Sequence, residues 1–113
     1  MQSNSHKNYT RALLKGAVSL AHTIAWQEAR FYEEREDFNQ AGNWLRMLAH
    51  ALLLQGRYAE GCIEAERAAA IQPDDYERAR ALHMLAANQI QAINYNSAFI
   101  TIGRLEEIAR TYP

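Results

Sequence analysis

The stretch GNWLRMLAHALLLQGRYAEGCIEAERAAAIQPDD, residues 42–75, decides the fold. Leu45, Leu48, Ala49 and Leu52 fall at i, i+3, i+4 and i+7, one stripe of a helix. Gln55-Gly56-Arg57 interrupts that pattern, and Gly56 can take the left-handed conformation that closes a helix because it has no Cβ. A second helix follows, with Tyr58, Gly61, Cys62, Ala65, Ala68 and Ala69 on one side and Ile71 at its end. Gln72-Pro73-Asp74-Asp75 supplies the stop. The inner positions are small, so the two helices can approach closely as an antiparallel hairpin.

Downstream the same logic recurs. Leu82, Leu85 and Ala86 form a stripe, Asn94-Tyr95-Asn96 punctuates it, and Ala98, Ile102, Leu105 and Ile108 carry the next helix. Tyr95 stands 37 residues after Tyr58. Upstream, Leu13, Ala17, Leu20 and Ile24 predict one helix, and Trp26, Ala29 and Glu33 predict another, Trp26 standing 32 residues before Tyr58. Asp37–Gly42 links this pair to the central one, and Asn39, Gly42 and Asn43 are all able to cap the helix that follows. Periods of 32 and 37 straddle the length of a helix-turn-helix repeat. The expectation is an all-α chain of stacked antiparallel hairpins, a single domain over residues 9–113 after a flexible, polar segment over 1–8.

Composition agrees with one folded domain. The chain has 113 residues, 49% of them apolar and 22% charged, a balance that excludes a wholly disordered polymer. Five glycines and two prolines are too few for the many tight turns of an all-β fold. Twelve bases against thirteen acids leave a net charge of −1, which disfavours nucleic acid and anionic membrane as partners. No run reaches the ~20 apolar residues of a membrane span. The lone Cys62 has no partner for an internal disulfide, which points to a reducing, cytoplasmic setting.

The central unit resembles a tetratricopeptide repeat. Leu48-Ala49, Gly56, Tyr58, Ala68 and Pro73 stand where that family's signature places such residues, while Gly61, Ala65 and Leu45 depart from its usual choices. The third unit keeps Leu85-Ala86, Tyr95, Ala98 and Leu105, and the first keeps Ala17, Trp26 and Ala29. The resemblance implies about three repeats in a short right-handed superhelix, with first helices lining a concave groove and second helices outside. Ala29-Arg30, Glu33-Glu34 and Leu48-Ala49 are also similar to repeats of large bacterial transcription regulators, so an oligomerisation or regulatory repeat domain is the alternative reading.

Charge sorts along the same division. The expected first helices carry Arg11, Lys15, Arg46, Arg78 and Arg80 with Glu77 as their one acid, and the second helices carry ten acids against six bases. Superposing the units puts Arg11, Asn43 and Arg80 at one groove-facing place and Arg46 and His83 at another. His50 lies one turn beyond Arg46, with His22 and Lys15 as neighbours. Leu53, Leu54 and Ile90 are the apolar anchors. Guanidinium forks and an amide suit a protein or peptide segment that carries carboxylates. The same cations also suit a solvated face with no ligand, or a phosphate. Chaperone and adaptor roles fit this pattern equally well.

No enzyme is expected. The chain has no phosphate loop, nucleophile elbow or zinc-spaced cysteine cluster. His22, His50 and His83 lack the i, i+4 partner of a helix-borne metal site, so neither metal nor cofactor is expected. Cys62 reads as packing, Glu33-Glu34-Arg35-Glu36-Asp37 as a solvated helix end, and Trp26 and Trp44 as wedges between repeats. Phe99, Ile100, Ile102, Leu105 and Ile108 cover more than one stripe of the last helix, which predicts a homodimer through Phe99 and Ile102.

Overall fold

The computed structural model describes residues 2–112, with side chains from Asn4 onward. Those residues form six helices: α1 (Gln2–Leu14), α2 (Val18–Glu34), α3 (Phe38–Leu54), α4 (Tyr58–Ile71), α5 (Asp75–Gln91) and α6 (Tyr95–Thr111). Each helix packs on the next, and α3 also touches α5. Opposite ends meet along the chain: Ser5 at the start of α1 reaches Glu28 late in α2, and Tyr76 in the first turn of α5 lies 6.4 Å from Tyr112 after α6. Neighbours are therefore antiparallel.

Four of the five connections are built the same way. In each, a central residue with positive φ donates its N–H to the carbonyl three residues back. The next residue donates to the carbonyl five back. The central residues are Gly16 (φ 75°), Glu36 (55°), Gly56 (74°) and Ile93 (60°). These paired bonds satisfy carbonyls that the last helical turn would leave open. Glycine takes this conformation freely, whereas a side chain there costs about 1–2 kcal/mol. The fifth connection is extended at Gln72 and ends at Asp74, whose carboxylate accepts from the Glu77 N–H at 2.9 Å. Asp37 caps α3 likewise by accepting from the Gln40 N–H, so the cap is none of Asn39, Gly42 and Asn43.

The turn at Gly16 corrects the first hairpin. Leu13, Ala17, Leu20 and Ile24 do not share a helix, because the chain reverses at Lys15–Ala17 between α1 and α2. Gly16 precedes Gly56 by 40 residues, so the first shift is 40 rather than 32, and Val18, Tyr58 and Tyr95 open equivalent second helices. The helix begins well before residue 9. Ser5 donates a hydrogen bond to Glu28, and the His6 ring stacks on Trp44 with centroids 4.4 Å apart, which ties this end to α2 and α3.

The core is made by pairing large with small. Trp44, Leu45, Leu48 and Leu52 of α3 are buried among Ala21, Ala25 and Ala29 of α2 and Ala65, Ala68 and Ala69 of α4. Burying each leucine contributes about 1.5–3 kcal/mol. Tyr9 meets the edge of Trp44 and donates to the Met47 carbonyl at 2.7 Å. Trp26 corrects the expectation that both tryptophans are wedges: it is 46% exposed on α2, with Arg30 over its ring. Trp44 is inside because it joins the core cluster and meets His6 and Tyr9 of α1, and Trp26 faces outward on a helix buried along its alanine stripe.

Two close approaches fix how α4 sits. A Cβ on Gly61 would collide with the buried Asn88 side chain of α5, and one on Gly42 would lie 2.8 Å from Cδ of Gln72. On the outer side Arg67 pairs with Glu33 and Arg104 with Glu66, joining α2 to α4 and α4 to α6. Such exposed pairs contribute roughly 0–1 kcal/mol each.

Candidate functional site

The helix bounds sharpen the division of charge. Helices α1, α3 and α5 carry Lys7, Arg11, Arg46, Arg78 and Arg80 against Asp75 and Glu77. Helices α2, α4 and α6 carry eight acids against four bases, the rest lying in the turns. Two of the bases on the first set are neutralised locally, Arg78 by Asp75 at 2.9 Å and Arg80 by Glu77 at 3.2 Å.

Arg46 is different. It is half-buried, its Nε is shielded from solvent without a hydrogen-bond partner, and among the described residues its guanidinium makes no ion pair. Burial and then the Arg80 charge push it below the usual guanidinium range, opposed by Glu77, Tyr9 and Tyr76. Those groups therefore surround it. His50, one turn further along α3, is pushed below the ordinary imidazole value by burial and then by Arg46. The Tyr9 hydroxyl is raised to about 12 by burial, so it stays a neutral donor to Met47. A shielded guanidinium Nε lacking an acceptor costs stability.

The other expected groove residues divide. Arg80 does lie beside Arg46, and it stays half-exposed with Glu77 as its partner. Asn43 is committed, because its Oδ1 accepts from Gln72 Nε2 at 3.0 Å. His83 is exposed on α5 at the place equivalent to Arg46. Leu53 is half-buried and Leu54 exposed at the end of α3. Ile90 lines a separate apolar groove between α5 and α6.

Three assignments change with the shift of the first hairpin. Arg11 is equivalent to Ala51, not to Asn43 and Arg80, and it lines a shallow depression on α1 with Lys7 and Leu14. Lys15 is in the α1–α2 turn rather than on a helix face. His22 is on α2, a second helix, where its Nδ1 lies 2.8 Å from Gln55 Oε1. The residue that sequence reasoning passes over is His6, which takes the Arg46 and His83 place in α1. Reading Lys15-Gly16-Ala17 as a helix end would have found it.

Other candidates resolve simply. Cys62 is half-buried and its thiol is raised by burial, the opposite of an activated nucleophile. In the acidic run, Glu33 pairs with Arg67 and Asp37 caps α3. Among the described residues no group of three or more His, Cys, Asp or Glu could hold a metal ion, and no helix is long and apolar enough to cross a membrane. Phe99 is 73% exposed and Ile102 39%, so both are accessible on α6. No family model matches the chain, and no curated protein or solved structure matches it either.

Proposed function

We propose that this chain is a non-enzymatic protein-interaction module of chaperone or adaptor type, acting in the cytoplasm, that holds an acidic segment of a partner against the face of α1, α3 and α5. The observation that carries this reading is Arg46, a half-buried cation whose Nε has no acceptor. Its neighbours Arg80 and His50, and the excess of bases over acids on the first helices, support the same polarity of ligand. Leu53 and Leu54 offer apolar contact two turns further along α3. The likeness of residues 42–75 to a tetratricopeptide repeat supports a curved stack of three hairpins with these helices inside. Arg46 sets register in this scheme by two-point bonding to a carboxylate, and the exposed bases raise the association rate.

The test uses fluorescence anisotropy with a Glu- and Asp-rich octapeptide and its Gln/Asn counterpart. The acidic peptide binds more tightly to the wild type, and Arg46→Glu weakens it at least ~10-fold, equivalent to about 1.4 kcal/mol. Arg46→Met loses the same binding while stability rises by about 1 kcal/mol, since the buried cation is gone. Equal affinity for the two peptides, or full binding by Arg46→Glu, overturns the assignment.

A further inference from the structure

We propose that the open face of the α5–α6 hairpin is a self-complementary docking surface for a second copy of this chain. An apolar groove of about 390 Å³ lies between Ile90, Tyr95, Phe99 and Ile102. It continues along the same two helices into a second of about 450 Å³, lined by Leu105, Ile108, Tyr112 and, across on α5, Tyr76. No charged side chain lines either stretch. Three half-exposed tyrosines, Phe99 and two isoleucines together offer several hundred Å² of apolar surface, on the order of the ~800 Å² that a standard interface takes from each partner.

Shape argues against a further hairpin seated as closely as α5 sits on α4. Helix α4 admits α5 closely by presenting Gly61, Ala65 and Ala68, each buried. The equivalent places on α6 hold Ala98, Ile102 and Leu105, which block so close an approach. Charge excludes head-to-tail stacking of copies. The other end of the chain presents Lys7 and Arg11, exposed and without ion-pair partners among the described residues. Pressed onto an uncharged groove, they would lose water and gain no acceptor. Two-fold pairing instead sets apolar surface on apolar surface. Of the bases on α6, Arg104 is paired with Glu66 and Arg110 with Glu107. The inference shares only Tyr76 with the surroundings of Arg46, and its test substitutes Phe99, which lines the α5–α6 groove alone.

Sedimentation equilibrium over a thousandfold range of concentration, with reductant to keep Cys62 a thiol, tests it. The wild type moves from the mass of one chain to that of two and stops there. Phe99→Glu stays at one chain at every concentration with an unchanged circular dichroism spectrum, the side chain being exposed enough to replace without unfolding. A Lys7→Glu/Arg11→Glu variant still pairs, and so does Arg46→Glu. A wild type monomeric throughout, a Phe99→Glu variant that still pairs, or masses that grow beyond two chains overturns the proposal. A 1:1 complex formed only on mixing Phe99→Glu with Lys7→Glu/Arg11→Glu also overturns it, since that is the signature of head-to-tail contact.

Discussion

Helices α4 and α6 have the same register and differ in what covers them. Along α4, Gly61 meets Asn88 of α5, and Ala65 and Ala68 continue the same buried stripe. At the matching places α6 carries Ala98, Ile102 and Leu105, with Phe99 where α4 has Cys62, and Phe99 and Ile102 are exposed. The larger hydrophobic side chains are thus the less buried ones. Burial on these faces is set by whether another helix packs against them, and the small side chains of α4 match the close approach of α5. The turns of the two hairpins differ in parallel, since Gly56 closes α3 without strain and Ile93 closes α5 in the same left-handed conformation with a β-branched side chain.

The largest effect that could break this comparison is at Gly61. A methyl group there would meet the Asn88 amide, whose Nδ2 donates to the Met84 carbonyl at 3.1 Å. Gly61→Ala is expected to lower unfolding free energy by about 2–3 kcal/mol in urea melts. Adding Asn88→Ala should recover part of that loss, as expected for residues in direct contact. Additive losses would mean that the α4–α5 approach is not set by this contact.

A smaller effect sharpens the contrast between the turns. Ile93→Gly should raise stability by about 1 kcal/mol, because it removes left-handed strain from a side chain that is 73% exposed. Gly56→Ala should lower it by a similar amount, since φ is 74° there. Thermal unfolding of the two variants in one buffer checks both signs. A loss on Ile93→Gly would show that the isoleucine side chain holds the terminal hairpin through contact.

The smallest effect is in pH and belongs to the interior hairpin. His50 titrates below its unfolded value of 6.5 because burial, and then Arg46, oppose its charge. The unfolded chain therefore takes up a proton first as pH falls. Its contribution to stability is complete above 6.5 and is lost progressively as pH drops toward the folded value. His50→Gln should flatten that part of the decline below the unfolded value of 6.5, measured by denaturant midpoints. Parallel profiles for the two proteins would remove His50 as a contributor.

Local sequence by itself determined that the chain is helical, that residues 42–75 form a hairpin and which side of α4 is packed. Each follows from 3.6-residue periodicity, from Gly56 and from the run of small residues, all legible within a few turns. The same periodicity misplaced the first hairpin, because Leu13 to Ile24 keeps helical spacing across a turn whose deciding feature is the backbone angle of Gly16. From that slip followed Arg11, Lys15 and His22 as groove residues and the omission of His6. Only the tertiary structure decided that Trp44 is enclosed while Trp26 is open, that Asn43 is committed to Gln72, and that Arg46 is half-buried with an unpartnered Nε. Spacing along one helix says which residues share a face, but desolvation depends on side chains brought in from other helices. For Arg46 these are Tyr9, Tyr76 and Arg80, which lie thirty or more residues away in the chain.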